Sequence, residues 1–412
     1  MEQRLRTILA GVIGVLGVLL AAGILGSVHP ADFAAAQRYF SIAEIIRSRS
    51  YFIHGVVPVM VLRMVVFGLL VTAIIKRWTI LPLCVKKRGW KTYINNAFSI
   101  FVLLAVLELL RFPAAFYAGY LREGEFGLRN AGFSLWLYRY GFSSLISFVA
   151  LWGMLSVFIQ FIAGTKRFII FIPLVFFVLS MGTTVLLPRV ITPLFYEVSS
   201  LRNVELRNRI QGIMEREGLP VSDIRVVHTS RYSKKANAYF TGFGRSREIY
   251  LYDTLLKNFS RDEILTVISH ELCHYSEEHV LIGLSLVSAG IAAGLAVMML
   301  LCRYLFGVSL RDLVSRNRIA ELMFLLLLIL FIARPVYSSA SRYMERRADR
   351  FALRPGGSPE AFISLQVKLA KKNIAHLAPN PLYVWFYDTH PPVMERIQGA
   401  ERCRTVHGDS SK

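Results

Sequence analysis

Long apolar runs alternate with short basic loops along most of this chain, and two polar stretches of mixed helix and strand periodicity interrupt them. A helix that crosses a bilayer takes roughly 20 apolar residues, and seven stretches qualify. Residues 7–26, 141–163, 168–187 and 281–302 hold no charged residue, whereas 56–75 carries Arg63, 97–119 carries Glu108 and Arg111, and 319–337 carries Glu321 and Arg334. The pattern predicts a mainly α, multi-pass membrane protein of about seven spans. Arg4 and Arg6 ahead of the first run give it the look of a leader, but no small-residue cleavage site follows, so it is expected to stay as a helix. The divisions are a five-span block at 1–187, polar residues 188–280, two further spans at 281–337, and a polar tail at 338–412.

Within 188–280, Leu206, Ile210, Ile213 and Met214 recur at helical spacing, and Gly218-Leu219-Pro220 closes that helix. Residues 224–227 read as a strand. Ala236–Phe243 and Glu248–Tyr252 flank Gly244-Arg245-Ser246-Arg247 and read as a hairpin. Ser260 followed three residues later by Glu263 is a capping box, and Ile264, Leu265, Val267 and Ile268 continue the apolar pattern. The helix that begins there runs through His-Glu-Leu-Cys-His at 270–274.

Composition agrees with the membrane reading: 54% of residues are hydrophobic and 18% charged, which excludes an ordinary soluble domain. The net charge of +21 sits in short loops beside the spans, for example Lys76, Arg77, Lys86, Lys87, Arg88 and Lys91. Such loops set topology and meet lipid headgroups. No nucleic-acid module accompanies them, so membrane lipid is an expected partner and nucleic acid is not. Cys84, Cys273, Cys302 and Cys403 show no paired spacing, which points to neither a disulfide framework nor a thiolate metal cluster. Cys273 reads as a small helix filler.

Positions four apart share one face of a helix, so His270 and His274 can share one zinc ion, and Glu271 can reach a water at the metal. Catalytic zinc takes a third protein ligand, and three residues compete. His279 lies about 140° round the helix from His274. Glu345 lies four before Asp349 in the helical run Glu345–Ala352; one carboxylate can bind the metal while the other accepts a ligand histidine's N–H. Surrounding arginines equally allow a solvated charged helix. His390, in Asp388-Thr389-His390-Pro391-Pro392, is held extended by the prolines, which suits a donor to a developing oxyanion or an ordinary turn.

The ordered blocks VITPLF (Val190–Phe195), ANAYFTGF (Ala236–Phe243), IYLYDTL (Ile249–Leu255), His270–His274, ERRADRFA (Glu345–Ala352) and THPPVMER (Thr389–Arg396) resemble the CAAX prenyl protease 1 type family of integral-membrane zinc metalloendopeptidases. The resemblance implies a ring of seven tilted helices around an intramembrane chamber, capped by a gluzincin-type zinc metalloprotease domain with a small β-sheet. It implies one Zn²⁺ per chain on His270, His274 and Glu345, with Glu271 as general base and Asp349 behind a ligand histidine. His390 and Arg396 would stabilise the transition state or the substrate, and Asn237, Ala238 and Tyr239 would pair with extended substrate. Arg63, Glu108 and Arg111 would face a water-filled chamber, although Glu108 and Arg111 can also pair with each other.

The implied substrate is a peptide or protein, prenylated or membrane-inserted, and the implied setting is a bacterial inner membrane or an endoplasmic reticulum. A quality-control metalloprotease of the heat-shock type would use the same residues. A non-catalytic scaffold or transporter is the distant alternative, and no inverted repeat supports it. Family members hold the zinc domain in the cytosol; the bias of basic residues toward the N-terminal side of the membrane points the other way. The acidic insertion of longer members is absent between Leu255 and His270, and Gly408–Lys412 is no dilysine signal, so the substrate stays open.

Overall fold

The structure, a computed structural model, describes residues 11–12, 14–19, 30–76, 90–164, 167–219, 221–242, 247–315, 318–354 and 356–409. Its main helices are α1 (Ile42–Ile75), α2 (Trp90–Phe116), α3 (Phe133–Gly164), α4 (Phe168–Leu186), α5 (Val204–Arg216), α6 (Arg261–Ser276), α7 (His279–Phe306), α8 (Ile319–Ala352), α9 (Pro359–Asn373) and α10 (Val393–Asp409). Among the described residues five helices are long and apolar enough to cross a membrane: α1, α2 with its continuation to Glu125, α3, α7 and α8. A sixth forms if Phe168–Thr184 and Arg189–Phe195, bent by 46°, count as one span. A π-type turn at Leu187–Ile191 sits at that bend. Of the expected seven, stretch 7–26 lies largely outside the described residues, so it does not enter this count; its described part, 11–12 and 14–19, is helical.

Phe98, Leu109, Ile170 and Leu300 stand exposed on these helices. In water so much outward apolar surface would be a liability; in hydrocarbon it is the solvated face. The helices bury their inward sides on one another, with Phe67 of α1 and Phe324 of α8 in ring contact at 5.7 Å and Met298 and Leu328 packed in the same cluster. The chain is an integral multi-pass membrane protein.

The polar residues between α4 and α7 build a sheet of β1 (Val198–Ser200), β2 (Asp223–Val227), β3 (Ala238–Thr241) and β4 (Glu248–Tyr252), in the order β1-β2-β4-β3. β4 pairs in parallel with β2 and antiparallel with β3, so β3 is an edge. The hairpin expectation holds for β3 and β4, while 243–246 lie outside the described residues. β1 was not expected: three residues are too few to show a period of two. Ile210 and Met214 of α5, Ile249 and Leu251 of β4, and Ile264, Ile268 and Leu272 of α6 are buried together.

Ser260 caps α6 through the expected capping box with Glu263. Glu263 also accepts hydrogen bonds from Ser364 (2.6 Å) and Lys368 (2.9 Å), which fastens the start of α6 to α9. Ile264, Ile268 and Leu272 recur every four residues and face the core, so the residues two steps away, His270 and His274, face roughly 200° round the helix and outward from it.

α8 runs unbroken through Pro335, from the apolar stretch into the run that carries Glu345. At 1.5 Å per residue its 34 residues extend about 50 Å. One rigid rod thus ties the buried membrane core at Phe324 to the polar domain.

Candidate metal centre

α6 supplies His270 and His274, and α8 supplies Glu345; one ligand atom from each lies within 4.8 Å of the others. His270 Nε2 and His274 Nε2 are 3.3 Å apart, His270 Nε2 is 3.4 Å from Glu345 Oε2, and His274 Nε2 is 3.5 Å from Glu345 Oε1. Ligand atoms held about 2.0–2.1 Å from a tetrahedral ion stand about 3.3–3.4 Å from one another. The three edges therefore have the lengths that three corners of a tetrahedral site require. Glu345 Oε2 is also buried without a hydrogen bond of good geometry, a costly state for a carboxylate oxygen that a cation would relieve. The donor set of two imidazoles and one carboxylate fits a metal.

Each histidine is held from behind. His270 Nδ1 lies 3.0 Å from Asp349 Oδ1, close enough to pair although off the ideal hydrogen-bond line. Asp349 in turn is gripped by Arg396, whose Nε and Nη2 lie 2.9 and 2.5 Å from its two oxygens. Arg396 thus lines the cavity while its guanidinium is spent on Asp349. On the other histidine, His274 Nδ1 lies 2.9 Å from His279 Nδ1. His279 Nε2 is 3.2 Å from Glu277, which Arg347 holds through two hydrogen bonds of 3.0 and 2.6 Å.

The place of His279 differs from the helical extrapolation. α6 stops at Ser276, and Glu278 adopts a left-handed φ of 52° before α7 begins. A non-glycine residue there costs about 1–2 kcal/mol, and the turn swings His279 back onto His274. His279 is buried and stands outside the group of His270, His274 and Glu345.

Glu271 lines the same cavity of about 490 Å³ as His270, Glu345 and His390. Burial pushes its carboxyl up to about 7, against the pull of His270, His390 and Arg396. His390 Nδ1 lies 2.9 Å from Glu345 Oε2, and its side chain remains two-thirds exposed at 66%.

A set of anchors for His390 went unnoticed in the sequence. Arg334 donates to the Tyr387 carbonyl (2.9 Å), Ser338 to that of Phe386 (3.1 Å), and Arg342 to those of Val384 (2.6 Å) and Asp388 (2.5 Å). Their spacing of four places them on one face of α8 and was the available signal. The charge at Arg334, a flaw in the predicted span, meets the backbone carbonyl of Tyr387. Glu108 and Arg111 pair at 2.7 Å and also engage Tyr140 and Ser144.

Of the substrate-strand residues, Asn237 gives its carbonyl to Tyr252 N at 3.1 Å, and Tyr239 stacks on Tyr250 at 5.1 Å. Alternation along a strand leaves the backbone groups of Ala238 and Phe240 toward the open edge. Ala236 is already occupied: the Asn373 amide donates to its carbonyl (3.4 Å) and accepts its N–H (3.1 Å).

Residues 200–404 match the profile described as peptidase family M48, and residues 20–197 match that described as CAAX prenyl protease N-terminal, five membrane helices. The uncharacterized metalloprotease YhfN of Bacillus subtilis (strain 168) is 32% identical over 232 residues, 55% of this chain and 54% of its own length. A probable CAAX prenyl protease 1 of Schizosaccharomyces pombe is 26% identical over 320 residues, 73% of this chain and 65% of its own. The chain thus spans about half to two thirds of these curated relatives. The crystal structure of S. mikatae Ste24p superposes with a TM-score of 0.80 over 96% of this chain and 98% of that one, at 20% identity, a likeness of fold. Ordered blocks, metal geometry, membrane helices and both profiles converge: the chain belongs to peptidase family M48, in its integral-membrane CAAX prenyl protease 1 branch.

Proposed function

We propose that this protein is a membrane-embedded zinc endopeptidase that hydrolyses peptide bonds in prenylated protein substrates. The observation that carries the reading is the triangle of His270, His274 and Glu345, with edges of 3.3–3.5 Å and Glu271 beside it in one cavity. Zinc held by those three residues supplies Lewis acidity and makes water nucleophilic near neutral pH. Glu271 takes the proton of the attacking water and returns it to the leaving amine. His390 donates a hydrogen bond to the oxyanion that develops on the scissile carbonyl. Asp349, fixed by Arg396, orients His270, and His279 orients His274, so both rings present Nε2 to the site. An extended peptide adds to the β3 edge through Ala238 and Phe240.

The zinc domain, 188–280 with 338–412, faces the cytosol in this reading, and reporter fusions after Arg88 and Lys412 test its side. The activity itself is tested with purified protein in detergent, given a farnesylated C-terminal peptide and, separately, an unfolded membrane protein. Cleavage of the farnesylated peptide, abolished by chelator and restored by zinc, is expected. Cleavage of the unfolded protein alone would favour the quality-control activity, and a protein that folds but never takes up zinc would overturn the enzymatic reading.

A further inference from the structure

One face of α9 forms a wall of the cavity that holds Glu271 and the metal triangle. Phe362, Gln366, Ala370 and Asn373 recur at spacings of three and four and line that cavity together with Ala236 and Ala238. Asn373 spends its amide on the backbone of Ala236. Gln366, two turns earlier, has no such use. It is 4% exposed, and among the described residues no hydrogen bond reaches its amide. The same cavity is lined by Leu255, Val267, Leu365 and Leu369, which have no polar side-chain group to offer it. Thr266 lines it too, but its hydroxyl already donates to the Asp262 carbonyl at 2.8 Å. A carboxamide left unanswered in apolar surroundings is costly, and an aliphatic residue would serve the packing better.

Strand geometry says what can answer it. Ala238 turns its side chain into the cluster of Ile264, Ile268 and Leu365, so β3 presents that face to α6 and α9. Residues directly opposite each other in an antiparallel pair share a face. A peptide residue added opposite Ala238 therefore sends its side chain toward the wall that carries Gln366, and the small side chains of Ala236 and Ala238 leave it space. We propose that Gln366 is a specificity-determining residue that hydrogen-bonds the side chain of this one substrate residue. Its amide both donates and accepts, so it selects a neutral side chain that does the same, a carboxamide above all, over an aliphatic one. A charged side chain would find no counter-charge on Gln366, Thr266 or the leucines of the wall. The inference rests on the peptidase reading and on peptide addition to β3.

The test uses an all-leucine pentapeptide and five relatives in which each Leu in turn becomes Asn, a side chain of nearly the same shape. Binding is measured on zinc-loaded Glu271→Gln protein, where turnover does not intervene. At one position alone the Asn peptide should bind about tenfold tighter than its Leu parent. Gln366→Met, which keeps the length and removes the amide, should reverse that preference, a swing of about tenfold to a hundredfold, and Gln366→Leu should do the same. Without peptide or metal, Gln366→Met should resist denaturant at least as well as the unaltered protein, since no contact of the fold is lost. A lower midpoint would show that the fold itself holds the amide and would overturn the proposal. So would Asn binding no tighter than Leu at every position, or a preference for Asn that survives Gln366→Met. Turnover by protein that keeps Glu271 separates the two readings: hydrolysis without any preference for Asn sinks the role of Gln366 alone, and a strong preference in binding without hydrolysis sinks the peptidase activity alone.

Discussion

Asp349→Asn keeps the shape of the side chain and removes its charge, and it acts on two quantities at once. Arg396 and Asp349 are buried, with side chains only 15% and 11% exposed, and their two contacts are 2.9 and 2.5 Å. Removing one partner of such a pair strands the other charge and costs about 3–5 kcal/mol of stability. The same change weakens the acceptor behind His270 Nδ1, and losing such a partner lowers metal affinity about 10–100-fold. Stability is read by denaturant unfolding of metal-free protein in detergent, and affinity by competition with a chelator. The double variant Asp349→Leu/Arg396→Met separates the effects, because it leaves no stranded charge yet restores no acceptor. It should recover most of the stability and none of the affinity. A single variant with wild-type affinity, or a double variant that regains it, would refute the role given to Asp349.

His279→Ala should lower zinc affinity about tenfold while His279→Gln, which can still hydrogen-bond His274 Nδ1, recovers part of it; equal loss in both speaks against an orienting role. Arg342→Ala frees the carbonyls of Val384 and Asp388 and should lower kcat about tenfold or more with zinc content unchanged, as His390 loses its fixed position. Asp253 gathers hydrogen bonds from Thr229, Ser230 and Lys257. Burial raises its carboxyl, but Lys257 and Ser230 outweigh that and hold it at about 2, below the roughly 3.9 of an unfolded chain. Its contribution is therefore present above pH about 4 and lost as pH falls toward 2, and Asp253→Asn should flatten that part of the pH–stability curve. An unchanged curve would remove Asp253 from the acid response.

The sequence was legible where a residue's role follows from local period. Ser260 and Glu263 announced α6, four-residue spacing paired His270 with His274 and Glu345 with Asp349, and alternation outlined β3 and β4. Three-dimensional convergence was hidden. Nothing local shows that Glu345, across two membrane helices, completes the triangle; the resemblance supplied that expectation. α8 passes through Pro335, inside the expected span, because neighbours and side chains within a membrane protein satisfy the backbone groups that proline frees. His279 was set aside because the helix was extrapolated past Ser276, and no composition signal marks the left-handed turn at Glu278. Arg334 counted against its span because a charge in hydrocarbon is costly; the carbonyl of Tyr387 that receives it lies 53 residues away.

Glu271→Gln tests the central claim most directly. The variant keeps size and hydrogen bonding and removes the base beside the triangle of His270, His274 and Glu345. Purified in parallel with the unaltered protein, it should retain one zinc per chain by elemental analysis and lose peptide hydrolysis by about a thousandfold or more. Full hydrolysis with zinc bound would contradict the assignment of Glu271, and loss of zinc would show that its carboxylate belongs to the metal site instead.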